Sequence, residues 1–492
     1  MPILIRKTIA KILLLSLMLF SNHALANTLS AERNRHIATL TVKDLPTLNK
    51  KPIYSLSVQA IIDGELQPIP FQIDEMNQKS NFYYEGKEAP ILGEVGLLDE
   101  KDELVFMYHD AGMKISGQQP ESGKTLLEIK FEEYGEARYA YIIEGSESRS
   151  PKEYVDYDVE TGLISTDFYT LEIDPDNLLN WKSHTYKNFK EENKNLIDTL
   201  KIRISGGLLT RWAKISLNNE NLKPEIIGIK HGPVRTIVKM DTEVRLAGIS
   251  VPMVNLMLHY YFSEQSIDAP VLAGIPALGV LLKVLKEPTI SVSLDFNKLE
   301  GSLVTTAKGP KEAAVVDGKI SKLEDQFAID GITGDMSDLS SVKLENNFLH
   351  MNTQKGYEVL ALLDIFPESL EGSAPGLIKR SLSVFGDKLD VLYHDDENHY
   401  DKPEQFPGAY PEAGYLIGLA SSEQDGMDLT GRVEIRFAIK LFFIDDVGEG
   451  GPAEFEHQVR NPPQLSYTIM DQNKVTDLSG FKSEEHNNLS FK

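Results

Sequence analysis

The stretch Ile290-Ser291-Val292-Ser293-Leu294-Asp295-Phe296 decides the fold class. Apolar residues take every second position and polar residues fill the gaps, the period of a strand with one face in a core. Leu200-Lys201-Ile202-Arg203-Ile204 repeats it, and so do Val433, Ile435 and Phe437 around Glu434 and Arg436. Leu127, Ile129 and Phe131 alternate again, followed by Gly135 and an apolar run over 139–143, which predicts a hairpin. Residues 225–262 read as a three-strand meander, broken at His231-Gly232-Pro233 and at Gly248-Ile249-Ser250. Pro252 there suits a strand start or an edge. Runs of strands without amphipathic helices between them argue for sandwiches rather than a parallel α/β sheet. The expected fold is therefore mainly β, built of antiparallel β-sandwich domains with few short helices.

The chain divides, on this reading, into a signal peptide over 1–26, an N-terminal β domain over 27–147, a central β-sandwich over 148–310, a C-terminal β domain over 311–473 and a polar tail over 474–492. The first internal boundary is drawn in the Gly-, Ser- and Glu-containing stretch 144–153, and a softer one lies around 301–317. No fixed-period repeat points to a propeller or solenoid. The first segment carries Arg6, Lys7 and Lys11, then an apolar run over 12–20 interrupted by Ser16, then Ala24-Leu25-Ala26. That is the layout of a secretory signal, with an apolar core too short to span a bilayer. Export to the periplasm or beyond is expected, with no transmembrane span left after cleavage.

Acidic residues outnumber basic ones by 74 to 50, giving a formal net charge of −24. Such a surface repels nucleic acid and anionic lipid, and suits divalent cations or neutral and cationic ligands. There is no cysteine, which removes thiol catalysis, thiolate metal sites and disulfides. Stability has to come from burial and hydrogen bonding.

Three polar stretches stand beside apolar strand residues near the N-terminus: Pro70-Phe71-Gln72-Ile73-Asp74-Glu75, then Leu98-Asp99-Glu100-Lys101-Asp102-Glu103-Leu104-Val105-Phe106-Met107, then His109-Asp110-Ala111-Gly112. Asp74, Glu75, Asp99, Asp102 and Asp110 could supply the several oxygens that calcium needs, although EF-hand spacing is absent. The other reading has Asp74 and Asp102 capping turns by accepting backbone N–H bonds. Residues 394–401, His-Asp-Asp-Glu-Asn-His-Tyr-Asp, could ligate a transition metal or form a solvated acidic loop. Trp181 and Trp212, the only tryptophans, could stack on a sugar face or sit in the core. Residues 269–285 read as a buried loop with a short core helix, or as an apolar flap that touches a lipid, a ligand or a partner.

The three N-terminal stretches, with Gly232-Pro233-Val234-Arg235 and the run Pro407-Gly408-Ala409-Tyr410-Pro411-Glu412-Ala413-Gly414-Tyr415, resemble an uncharacterised family of exported bacterial proteins. The resemblance spans most of the chain and implies no activity. It implies β-sandwiches of the carbohydrate type, including the large ones shared by sugar mutarotases and some polysaccharide lyases. The expected role is binding or accessory, toward carbohydrate or cell-envelope material. One alternative is a polysaccharide lyase with His231, Arg235, His184 and Tyr186 at its site. In that reading, His184 and Tyr186 follow Trp181 in a surface loop, and Arg235 is either a substrate clamp or half of a cross-strand ion pair. A second alternative is an envelope protein that docks on a membrane partner through 269–285.

Overall fold

A computed structural model describes residues 33–77, 81–86, 94–191, 194–208, 212, 214–246, 249–250, 255–275, 285–334, 341–365, 389–396, 409–419, 433–470 and 474–477. The signal segment lies outside these residues. Every pairing between the named strands is antiparallel, and they form five sheets. The fold is mainly β, and the one α-helix among the described residues is Gly451–Arg460.

The alternation that opened the sequence places Leu285–Phe296 at the centre of a five-stranded sheet, between Ile197–Leu208 and Glu412–Gly418. Leu294 and Phe296 face a large core together with Leu200 and Tyr415, while Ser293 and Asp295 lie on the other face. A ten-stranded sheet closes this core from the opposite side. Its meander Leu222–Lys230, Arg235–Leu246 and Asn255–Ser263 follows the expected breaks. A four-stranded sheet ending in Asn177–Tyr186 adds to the same core.

A second core lies between a three-stranded sheet, Ile37–Thr41 with Glu103–Met107 and Phe71–Asp74, and a six-stranded one. The expected hairpin is Lys124–Glu133 with Glu136–Glu144. Its two-residue turn puts Tyr134 at φ 50 and Gly135 at φ 82, the mirror-image turn that matches strand twist. Gly112 serves this unit by having no side chain. It exchanges backbone hydrogen bonds with Tyr139, and a Cβ there would lie 2.3 Å from the Ile61 carbonyl oxygen.

Two expectations about organisation change. The strand Gln464–Ile469 returns to pair with Lys124–Glu133, so the chain's last described strands complete the N-terminal unit. Strands on both sides of residue 310 also share the five- and ten-stranded sheets, so 148–310 and 311–473 do not separate by sheet. Burying one large core requires both halves. In the 269–285 segment, residues up to 275 belong to the strand Ser266–Ile275, hydrogen-bonded to neighbours on both sides, rather than to a loop. Residues 276–284 lie outside the described residues, as does the tail after 477.

The ten-stranded sheet has a second, outer face, and the N-terminal unit packs on it. Met76 and Phe82 meet Ile237 and Tyr261, and Val105 and Met107 meet Val234 and Tyr154. The helix covers a neighbouring patch through Phe455, whose ring is 5.0 Å from that of Phe442. These contacts make one concave junction between two sandwiches.

Gly112→Ala should destabilise the protein by about 1–3 kcal/mol in urea unfolding, because the clash is with backbone that cannot rotate away. A change below about 0.5 kcal/mol would show that Ile61 moves freely and that the close approach is not required.

Candidate functional site

Arg235 begins a strand of the ten-stranded sheet and is fully buried. Its Nε and Nη2 donate to Asp74 Oδ2 at 2.8 and 2.6 Å, and Nη2 also reaches Glu103 Oε2 at 2.6 Å. Both carboxylates come from the three-stranded sheet and are themselves buried. Burial works against the guanidinium's charge, but the two carboxylates outweigh it and hold its pKa above the usual value. Gln72 locks the arrangement: its Oε1 accepts the backbone N–H of Arg235 at 3.1 Å, and its Nε2 donates to Asp74 at 2.7 Å. A Cβ on Gly232 would lie 2.0 Å from that same Oε1, so a larger residue there would push the Gln72 amide out of these bonds. The ion pair expected for Arg235 is real, but it crosses between sheets rather than between neighbouring strands.

Three of the quoted stretches thus meet at one point. The third N-terminal stretch, His109-Asp110-Ala111-Gly112, lies alongside. His109 Nε2 is 2.8 Å from the Tyr154 hydroxyl, which donates to Asp110 Oδ1 at 2.7 Å. Glu264 sits 3.7 Å from His109 Nδ1. Burial raises the Asp110 and Glu264 carboxyls above their ordinary range, and the Lys152 ammonium lies 4.3 Å over the Tyr154 ring. His109 is partly exposed, so this relay of hydrogen bonds reaches solvent.

Beside it runs a cleft of about 100 Å³ between the N-terminal unit and the outer face of the ten-stranded sheet. Arg33, Arg35, His36 and Lys440 line it together with Tyr108 and Tyr261, and Arg235 contributes to its floor. Arg33 is held by Glu133 at 2.8 Å and by the Asn461 carbonyl at 2.7 Å. Cationic walls are unexpected in so acidic a chain. The run Arg33-Asn34-Arg35-His36 supplies part of this charge, and Arg235 and Lys440 join it only through docking of the two units.

The residues proposed for a lyase do not converge. His231 lies on an exposed turn, where its Nδ1 is 3.0 Å from Glu85. His184 and Tyr186 belong to the strand Asn177–Tyr186 rather than to a surface loop. His184 is buried, with Nε2 2.9 Å from the Tyr357 hydroxyl, and burial lowers its pKa to about 3. Tyr186 is buried beside it and donates to Asp445. Trp181 is buried against Tyr260 and has no face for a sugar, whereas Trp212 is 93% exposed.

The acidic residues divide in the same way. Asp74 serves Arg235 rather than capping a turn. Asp102 does cap, accepting from the N–H groups of Met76 at 2.7 Å and Asp99 at 2.8 Å. Glu75 accepts from Gly96 N–H and Asp99 from Lys101 N–H. Among the described residues no group of three or more carboxylates or histidines is arranged to hold a metal ion. In 394–401, Asp395 is buried and accepts the N–H groups of Asp317 and Gly318, and residues 397–401 lie outside the described set.

Sequence reading missed a further buried set on the five-stranded sheet. Lys201 Nζ lies 3.0 Å from Asp295 and 3.3 Å from Glu412, and Arg203 is 2.7 Å from Glu412. Burial raises Asp295 to about 7, while against burial Arg203 and Lys201 hold Glu412 down at about 2. The signal was present as four charged residues on the polar side of two alternating strands and one neighbour.

No protein-family model matches the sequence, and no curated protein matches it. Solved structures with a similar chain path include an alpha-mannosidase from Enterococcus faecalis V583, at 10% identity and TM-score 0.40 over 84% of this chain. This chain spans 42% of that enzyme's length. A galactose mutarotase-like protein from Clostridium acetobutylicum aligns at 9% identity and TM-score 0.31, over 59% of this chain and 98% of its own. An amine oxidase from Aspergillus nidulans aligns at 9% identity and TM-score 0.28, over 76% of this chain and 60% of its own. Neighbours this distant, with chemistries this different, leave the activity of this chain open.

Arg235→Met should cost about 3–5 kcal/mol in urea unfolding, because two buried carboxylates lose their counter-charge. A loss under 1 kcal/mol would mean that the junction is held by its apolar contacts alone. Asp102 gives a pH signature. Burial, and then Asp99 and Glu75, raise it from 3.8 to about 7 against its two backbone bonds. A carboxyl raised in the folded state stabilises while protonated, so its contribution is complete below about pH 4 and lost as pH climbs through about 7. Asp102→Asn should therefore flatten the fall in stability between pH 4 and pH 7, and an unchanged slope would assign that fall to other groups.

Proposed function

We propose that this protein is an exported, soluble β-sandwich protein that binds carbohydrate or cell-envelope material in the cleft between its two sandwiches. The observation that carries this reading is the cleft itself: a concave, polar junction in which tyrosine rings and side-chain donors face one space. Ligand sites occur preferentially at such junctions between domains. Export rests on the basic, apolar and small-residue pattern of residues 1–26. The lyase alternative loses its proposed constellation, because His184 and Tyr186 are buried away from His231.

Glycan-array binding by the full chain, compared with Thr39→Trp, tests this reading. Thr39 lines the cleft from the strand Ile37–Thr41, and an indole there fills the space. The wild type should bind at least one glycan class, and the variant should lose it while its melting temperature is kept. Binding that survives the filled cleft would move the site elsewhere, with exposed Trp212 the next place to look.

A further inference from the structure

We propose that the cleft accepts an oxyanion, a carboxylate or a phosphate borne on the ligand, with Arg35 and His36 as the groups that grip it. This deepens the reading given above and depends on it for the sugar, though not for the anion.

His36 supplies the sharpest observation. It is 8% exposed, and its ring packs between those of Phe442 and Phe455, at 5.7 and 5.2 Å. Arg33 Nη1 lies 3.2 Å from its Nδ1. A guanidinium can only donate, so Nδ1 must accept, and the neutral imidazole then carries its hydrogen on Nε2. That Nε2–H is buried and has no hydrogen-bond partner. His36 is one of the residues that line the cleft, so an acceptor that reaches this nitrogen on binding would satisfy it.

Arg35 supplies the charge. It is half-buried at the rim and donates to the Asp446 carbonyl oxygen. No ion pair to a carboxylate is formed by it among the described residues. The other cations are balanced from behind: Arg33 by Glu133, Arg235 by Asp74 and Glu103, and Lys440 by Asp364 at 3.5 Å. Those carboxylates lie outside the lining. Asp268, opposite Lys440 in the sheet register, is the one acid among the described residues that line the space. The field that reaches His36 is cationic: after burial itself, Arg33, Arg35 and Lys440 push its pKa well below the ordinary value.

Size agrees with charge. The cleft of about 100 Å³ has room for several waters, or for an oxyanion with the atoms that carry it. The remainder of a larger ligand would extend outward past Arg35. Against a global charge of −24, Arg35 places one cation without a carboxylate partner among the described residues at the cleft.

Calorimetric titration of the full chain with glucuronate, glucose 6-phosphate, glucose and inorganic phosphate tests the proposal. The anionic sugars should bind and glucose should not, and affinity should fall as salt rises. Arg35→Gln should weaken binding at least about tenfold, the usual worth of a charge-assisted hydrogen bond. His36→Phe keeps the ring packing but lacks the donor, and should also weaken it, with folding checked by melting temperature. Glucose binding as well as glucuronate, or Arg35→Gln binding as tightly as wild type, would overturn the oxyanion and leave the carbohydrate reading standing. Inorganic phosphate binding as tightly as the anionic sugars would support the oxyanion and overturn the sugar. Failure of every anion to bind would overturn the proposal outright.

Discussion

A single guanidinium held between two buried carboxylates is the constraint on which this architecture turns. Arg235 belongs to the large sandwich, and Asp74 and Glu103 belong to the smaller unit. Removing three charges from water is expensive, and hydrogen bonds of near-ideal length recover that cost only in one relative placement of the two units. Apolar contacts such as Phe82 on Tyr261 supply attraction but little direction. The ionic clamp supplies direction. It fixes where Ile37–Thr41 stands over the outer face of the ten-stranded sheet, and so determines that a cleft exists between them.

The cleft inherits its chemistry from this docking. Arg33 and His36 arrive from the first described residues, Lys440 from a strand near the end of the chain, and Arg235 from the middle. Glu133 pairs with Arg33, Asp74 and Glu103 with Arg235, and Asp364 with Lys440. The protein as a whole is strongly acidic, and the gathering of these cations at one place is a property of the fold and not of composition. The neighbouring His109, Tyr154 and Asp110 are positioned by the same contact, because Tyr154 packs against Val105 and Val234. Binding and any proton traffic at this junction share one structural cause.

Local periodicity carried much of the architecture in readable form. The two-residue alternation of 290–296 marks the central strand because half its side chains must enter a core. The hairpin turn at Tyr134-Gly135 is legible because left-handed backbone favours glycine. Parity failed at 181–186: Ile173 pairs with Trp181 and Glu172 with Ser183, so one residue bulges and Trp181 and His184 both turn inward. A loop assignment there followed from a broken period. The return of Gln464–Ile469 to the hairpin over 124–144 was illegible for another reason, since pairing across more than 300 residues leaves no local trace. The motif stretches were visible as unusual runs. Their meeting at Arg235 was not, because Gln72, Asp74, Glu103 and Gly232 are joined only in three dimensions.

The most direct test of the central claim is a double-mutant cycle between Glu103 and Arg235, read as unfolding free energy in urea. If the clamp orients the two units, the coupling should stand at about 1.5 kcal/mol or more, within the range of residues sharing one network. Additivity to within about 0.5 kcal/mol, as for independent sites, would contradict the account.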